Sequence, residues 1–313
     1  MSEIDEITQM LCQSAGDFVA AHNDLNLQRQ DLGQPLLIDR ERWRAMAELG
    51  WLGLSIPERM GGSGMGVKVA APLCEVLGRH LFAPPYIAAA LQPAAVIAAM
   101  DTGVAHTLAE GLASGEDLFC LAWQEAGDPL GLALPVASVD NNRLNGHKVF
   151  VSALEEDSIL LVYAQRAGQP VVVAIDASND GISIKRFATA HGSSSEVQFD
   201  NALLREGEPL LSGAAASDAL HEALASSRVA VSAQLAGIAR ACLEQTVDYV
   251  NQRVQFGRPI GSFQSVKHRC VDLRIGVEMA EASWREAAEQ LAAAGGAAQP
   301  AVYAAKARCS DIA

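Results

Sequence analysis

Two long helical stripes meet at Arg253-Val254-Gln255-Phe256-Gly257-Arg258-Pro259-Ile260-Gly261-Ser262-Phe263-Gln264, and this junction constrains the fold more than any other stretch. Before it, Leu220, Leu224, Val231, Leu235, Ile238, Cys242 and Tyr249 recur at three- and four-residue steps, with small residues in most of the gaps. After it, Phe263, Val266, Cys270, Leu273, Val277, Ala280, Trp284 and Leu291 repeat the rhythm. Each series is the apolar stripe of an amphipathic helix. A short Gly-Pro-Gly connection between two such stripes predicts antiparallel neighbours in a bundle. The junction gathers a cation, an aromatic ring and an amide at the exposed end of that hairpin. A guanidinium offers a planar fork of donors suited to a pyrophosphate, and an amide can read the edge of an adenine. Read on their own, Arg253 is equally a solvated helix-end cation, Phe256 and Phe263 core plugs, and Gln264 a first-turn surface residue.

The pattern changes twice along the chain. Residues 1–116 are Ala- and Leu-rich with helical spacing, broken at Gln34-Pro35, at 57–66 and at Pro84-Pro85. Residues 117–213 switch to short runs of Val, Ile, Leu and Phe between Asn, Asp and Gly turns, with strands predicted at 119–124, 143–151, 159–164, 170–175, 182–185 and 196–199. No crossover helix intervenes, so the sheet is expected to be mainly antiparallel, a small barrel or sandwich. Residues 214–313 return to helical rhythm, with Gly295-Gly296 closing one helix and Gln299-Pro300 starting another. The expected fold class is therefore α+β: an N-terminal helical domain, a central antiparallel β-barrel or sandwich, and a C-terminal helical bundle. Ser310-Asp311-Ile312-Ala313 arrives without a stop signal, so the bundle is expected to be incomplete.

Composition narrows the partners. The chain has 313 residues, half of them hydrophobic, enough for two or three cores. A net charge of −14 argues against nucleic acid or an anionic membrane as the main partner, so any phosphate-rich ligand needs a local basic pocket. The six cysteines are scattered without C-x-x-C spacing, which indicates neither a disulfide framework nor a metal site and fits a reducing cytoplasm. The acidic start carries no secretory signal, and the apolar stretch 87–100 falls short of the roughly 20 residues that span a bilayer.

The junction closely resembles the R-x-x-F-G-x-x-I-x-x-F-Q signature of the acyl-CoA dehydrogenase family, whose helix, strand, helix order matches the whole chain. In that family the matching Arg, Phe and Gln touch FAD held by the neighbouring subunit. The resemblance thus implies cofactor-binding roles for Arg253, Phe256 and Gln264, and an oligomer built as a dimer of dimers. Leu144-Asn145-Gly146-His147-Lys148-Val149-Phe150-Val151-Ser152 is similar to L-N-G-x-K-x-W-I-T, which gives Phe150 the place of the aromatic beside the flavin and Ser152 that of a hydroxyl donor. Asn145-Gly146 also reads as a hairpin turn. Trp123-Gln124-Glu125-Ala126-Gly127-Asp128 stands where T-E-P-x-A-G-S-D is usual, with Gln124 for Thr and Ala126 for Pro, so backbone contacts to flavin are expected and hydroxyl contacts are not. His191, in the usual Arg position of R-x-S-x-T, is taken as a solvated turn residue. The glycine-rich run at 57–66 has neither the G-x-G-x-x-G spacing nor a P-loop lysine and is expected to be a flexible connector.

The resemblance implies oxidation of an acyl-CoA thioester to the 2,3-enoyl-CoA in lipid catabolism, with an electron-transferring flavoprotein as acceptor. The reaction removes a proton from the carbon next to the thioester, which needs a carboxylate in a dry cleft. Most of the family carries that Glu in a late loop that this sequence does not reach. A minority carries it early in the helix before the signature, where this chain has Ser227, and Glu222 is more than one turn away. No catalytic residue or metal ligand is therefore assigned. The base is expected from a longer native tail or from a partner subunit, or it is absent. Two alternatives share the fold: a flavin monooxygenase, and a non-catalytic subunit of a heteromeric acyl-CoA dehydrogenase.

Overall fold

Helices α1 (Glu3–His22), α2 (Leu25–Gln30), α3 (Arg40–Glu48), α4 (Gly66–Arg79), α5 (Gln92–Ala98) and α6 (Gly103–Ser114) precede the strands, with a π-helical turn at Ile87–Leu91 leading into α5. The structure, a computed structural model, describes residues 3–30, 37–101, 103–128, 130–131, 133–189 and 192–313. The Gln34-Pro35 break and His191 lie outside these. α3 shows how the sequence sets an end: Asp39 caps it by accepting from Arg42 N at 3.0 Å, and Trp43 and Met46 bury one face. The chain divides into two units. One contains 3–23, 67–83 and 228–313; the other contains the described residues of 24–66 and 84–227.

The second unit holds β1 (Phe119–Ala122), β2 (Ser138–Asp140), β3 (Arg143–Ser152), β4 (Ile159–Arg166), β5 (Gln169–Asp176), β6 (Ile182–Thr189), β7 (Gly192–Leu203) and β8 (Leu211–Ser212). They form one sheet in the order β6-β7-β3-β2-β4-β5-β8, with β1 also on β4. This path has two edges, β6 and β8, so the sheet does not close into a barrel and is sandwich-like. It is mainly antiparallel, as expected, with two exceptions: β1 and β2 both run parallel to β4, pairing Phe119 with Ile159 and Ser138 with Gln165. The strands bury one core, including Leu144, Val151, Leu160, Val173, Val197 and Phe199. β4 reads as a continuous apolar run because both its faces are covered, whereas edge strand β6 alternates half-buried with exposed positions.

The glycine-rich run is not a loose connector. Ser63 N donates to Gly53 O at 3.1 Å, Gly64 N to Ile56 O at 2.8 Å and Met65 N to Leu54 O at 2.9 Å. Those amides are committed to the chain's own carbonyls and are not available to cradle a phosphate. Gly62 lies so close to the Ile56 carbonyl that any Cβ there would collide with it. Gly62→Ala is therefore expected to destabilise the fold by about 1–3 kcal/mol, as overpacking against rigid backbone does. Denaturant unfolding would read this as a lower midpoint at unchanged slope.

The first unit is helical. It takes in α1, α4 and the greater part of α7 (Ala214–Gln252), together with α8 (Gln264–Ala294) and α9 (Gln299–Ile312), which carries Pro300 in its first turn. α7 and α8 are joined by β9 (Val254–Gln255), β10 (Arg258–Pro259) and a 3-10 turn (Ile260–Ser262). Val277, Ala280, Trp284 and Leu291 of α8 are buried, the second half of the stripe expected from the sequence, whereas Leu273 in its first half is exposed. Ionic ties link the helices: Arg240 of α7 to Glu281 of α8 at 2.7 Å, Lys68 of α4 to Glu289 at 2.7 Å, and Arg79 of α4 to Glu244 of α7 at 2.7 Å. Among the described residues, no helix is long and apolar enough to cross a membrane.

Candidate functional site

Three of the six sequence-assigned residues lie in the second unit: Phe150 and Ser152 at the C-terminal end of β3, and Gln124 just after β1. The register of β3 on β7 pairs Lys148 with Val197 and Val151 with Ser195, so one extra residue is accommodated on β3 between these pairs. Phe150 falls inside that bulge with φ +55°, in the left-handed region that a bulky L-residue avoids. Its ring is 68% exposed. Bulges re-aim side chains, and strained backbone concentrates where a side chain must be presented. Val149 N, one residue earlier, donates to Gln124 O at 3.0 Å. Thus Gln124 and Phe150, read from separate motifs, belong to neighbouring segments. Ser152 is exposed two residues further along β3, opposite Ser194.

A buried ion pair, assigned no role by the sequence motifs, lies beneath these segments. Lys148 is fully buried and its Nζ donates to Glu125 Oε1 at 2.7 Å and to Trp123 O at 3.2 Å. The Glu125 carboxylate also accepts from Val136 N at 2.8 Å and Ala137 N at 2.9 Å. Asp128 continues the pattern, accepting from Ala133 N at 2.8 Å. The loop between β1 and β2 is therefore stitched by its own carboxylates. Burial opposes both charges in the pair. It prevails at Lys148, whose pKa is lowered despite the bond to Glu125. At Glu125 burial is outweighed by the Lys148 hydrogen bond and the two backbone amides, and the carboxyl stays below its ordinary range. The signal was present in the sequence, since Glu125 and Lys148 are the acid and base of the two motifs, but a lone Lys in a strand reads as solvated.

The other three residues lie in the first unit, at the α7–α8 corner. β9 and β10 pair Gln255 with Arg258, leaving Phe256-Gly257 as a two-residue turn. Both have positive φ, +53° and +76°, as a type I′ hairpin demands. Gly257 meets that demand freely, whereas Phe256 meets it under strain and holds its ring 92% exposed. Phe256 is thus no core plug. Its ring stands edge-on to Phe263 with centroids 6.2 Å apart, and the Arg258 guanidinium lies 4.2 Å above Phe263. Arg253 and Gln264, the last residue before β9 and the first of α8, are both exposed.

The electrostatics of the corner run against those of the chain. No Asp or Glu occurs in 253–269, while Arg253, Arg258, Lys267, His268 and Arg269 are all exposed there. Among the described residues, none of Arg253, Lys267 and Arg269 pairs with a carboxylate. Unneutralised cations beside an exposed ring, in a protein of net charge −14, suit a ligand carrying phosphates and an aromatic base. The bulge of β3, with its exposed ring and flanking hydroxyl, suits a planar heterocycle.

The proposed base position holds no base. Ser227 is buried in α7 and donates to Ala223 O at 2.6 Å, and Glu222 is exposed, accepting from Ser226 Oγ at 3.2 Å. A hydroxyl tied to its own helix and without a carboxylate partner does not abstract a carbon-bound proton. Among the described residues, no cluster of His, Cys, Asp and Glu is arranged to hold a metal ion.

Residues 5–107 match the acyl-CoA dehydrogenase N-terminal domain and residues 217–313 the acyl-CoA dehydrogenase C-terminal domain. The chain is 28% identical over 280 residues to acyl-CoA dehydrogenase IpdE2 of Mycobacterium tuberculosis, covering 88% of this chain and 74% of that protein. It is 30% identical over 264 residues to an acyl-CoA dehydrogenase of Bacillus subtilis, covering 76% of this chain and 67% of that one. A solved variant of the Tcur3481-Tcur3483 steroid ACAD superposes with a TM-score of 0.83 at 28% identity, over 99% of this chain and 87% of its own. With both flanking domains matched and the fold shared, the chain belongs to the acyl-CoA dehydrogenase family.

Proposed function

We propose that this chain is an FAD-dependent acyl-CoA dehydrogenase subunit that takes part in oxidising an acyl-CoA thioester to the 2,3-enoyl-CoA. The observation that carries the reading is the pair of exposed rings, Phe150 and Phe256, each held in left-handed backbone at a position the family signature assigns to flavin contact. Phe150 covers an apolar face of the flavin, Ser152 donates to its polar edge, and the Trp123–Asp128 backbone lines it. Arg253 meets the diphosphate of FAD on a neighbouring protomer, Phe256 packs beside it and Gln264 reads the adenine, so the assembly is a dimer of dimers. FAD, when bound, supplies the two-electron acceptor for the acyl chain. An electron-transferring flavoprotein then serves as the external acceptor. The protein's part is to bind and orient the thioester and to exclude water.

A second reading is favoured by Ser227: a subunit that completes a neighbour's flavin site while the partner provides the proton-abstracting carboxylate. One set of experiments tests both. The chain, with its natural neighbouring sequence, is purified alone and with a co-encoded partner, and acyl-CoA thioesters are added anaerobically. We expect a yellow protein whose flavin bleaches. Protein that takes up no FAD in any pairing overturns both readings, while turnover by the chain alone eliminates the second.

A further inference from the structure

We propose that Lys148 and Glu125 form a positioning pair that sets the β3 bulge and the Trp123–Glu125 segment in register, so that Phe150 and the neighbouring backbone are presented to the flavin together. The proposal rests on the FAD reading above. Neither side chain has been given a role in that site, and neither is argued to touch the ligand.

The argument begins with the cost. A fully buried ammonium is an expensive way to fill a sheet interior that Leu, Val or Met would fill more stably. What the ammonium adds is direction. Its donors reach two points of one segment, the Trp123 carbonyl at 3.2 Å and the Glu125 carboxylate at 2.7 Å. The carboxylate in turn fixes Val136 N and Ala137 N where the loop re-enters the sheet as β2. On the other side of Lys148 the bulge begins at once, and Val149 N completes the link to Gln124 O. Sliding the Trp123–Glu125 segment by one residue would break all of these bonds simultaneously and strand a charge in the core. An apolar pair would hold the segment in place without specifying its register.

The test separates positioning from stability. In Glu125→Gln/Lys148→Met the charges go, while the single amide oxygen at 125 still accepts from one of the 136 and 137 amides, which meet different oxygens of the carboxylate. We expect this double variant to stay folded, with a thermal midpoint above that of Lys148→Met alone, to bind FAD at least tenfold more weakly in fluorescence titration, and to show an altered shape of the visible flavin band. A double variant with wild-type affinity and band shape overturns the proposal while leaving the FAD reading intact. Wild-type protein that binds no FAD removes both. Should the double variant not fold, Glu125→Asp keeps the charge and shortens its reach by one methylene. An altered band at the wild-type thermal midpoint then supports the pair, and an unchanged band overturns it.

Discussion

Lys148→Met alone is expected to lower the free energy of unfolding by about 3–5 kcal/mol, the scale on which removing one partner strands the other half of a buried ion pair. The substitution leaves Glu125 with its two backbone donors but without the ammonium that offsets its desolvation, and it leaves the Trp123 carbonyl without that donor. Much of the loss comes from the carboxylate left behind, so adding Glu125→Gln should recover most of it. A double-mutant cycle followed by denaturant unfolding measures this directly. A single-variant loss below about 1 kcal/mol, the usual ceiling for exposed pairs, would mean that the pair behaves as if solvated.

Arg253→Ala is expected to act in the opposite manner, with no cost to the fold and a large one to the cofactor. Its guanidinium is exposed and pairs with no described carboxylate, so the protomer loses nothing measurable on its removal. The hydrogen bonds of a charged group to a diphosphate contribute about 1.5–3 kcal/mol, which at about 1.4 kcal/mol per tenfold is roughly ten- to a hundredfold or more in FAD affinity. Phe256→Ser should give a loss of similar size, since burying an exposed Phe against a ligand is worth about 1.5–3 kcal/mol. Titration of the apoprotein with FAD, beside thermal unfolding, distinguishes the two effects. An unchanged affinity in both variants would show that the corner contacts no dinucleotide.

Much of this was legible from the sequence where physics acts locally. The helices α7 and α8 and six of the β1–β8 strands follow from local pattern, although the expected stripes are buried over only part of each helix, with Cys242, Tyr249 and Leu273 exposed. β2 and β8 escaped because runs of three and two residues carry no alternation. The parallel pairing of β1 and β2 with β4 escaped because partner choice is set by the path of the whole sheet rather than by any strand's composition. Within the candidate site, the motifs pointed to Phe150 and Phe256 but not to their backbone. Val149-Phe150-Val151 reads as plain strand, and the bulge emerges only from the pairing of β3 with β7. Lys148 was hidden for a related reason, since the partner that makes its burial tolerable lies 23 residues away in sequence. The run at 57–66 was expected to be a flexible connector because sequence shows that a glycine run can bend, not that its N–H groups are tied to nearby carbonyls.

Phe150 and Phe256 together set a trap for anyone wishing to make this protein more robust. At both positions the main chain would relax if the residue were exchanged for glycine or asparagine, and neither ring contributes to the interior. A sequence optimised for thermostability would therefore discard both aromatics early. The improved scaffold would keep its shape and lose the two surfaces proposed here to meet the cofactor.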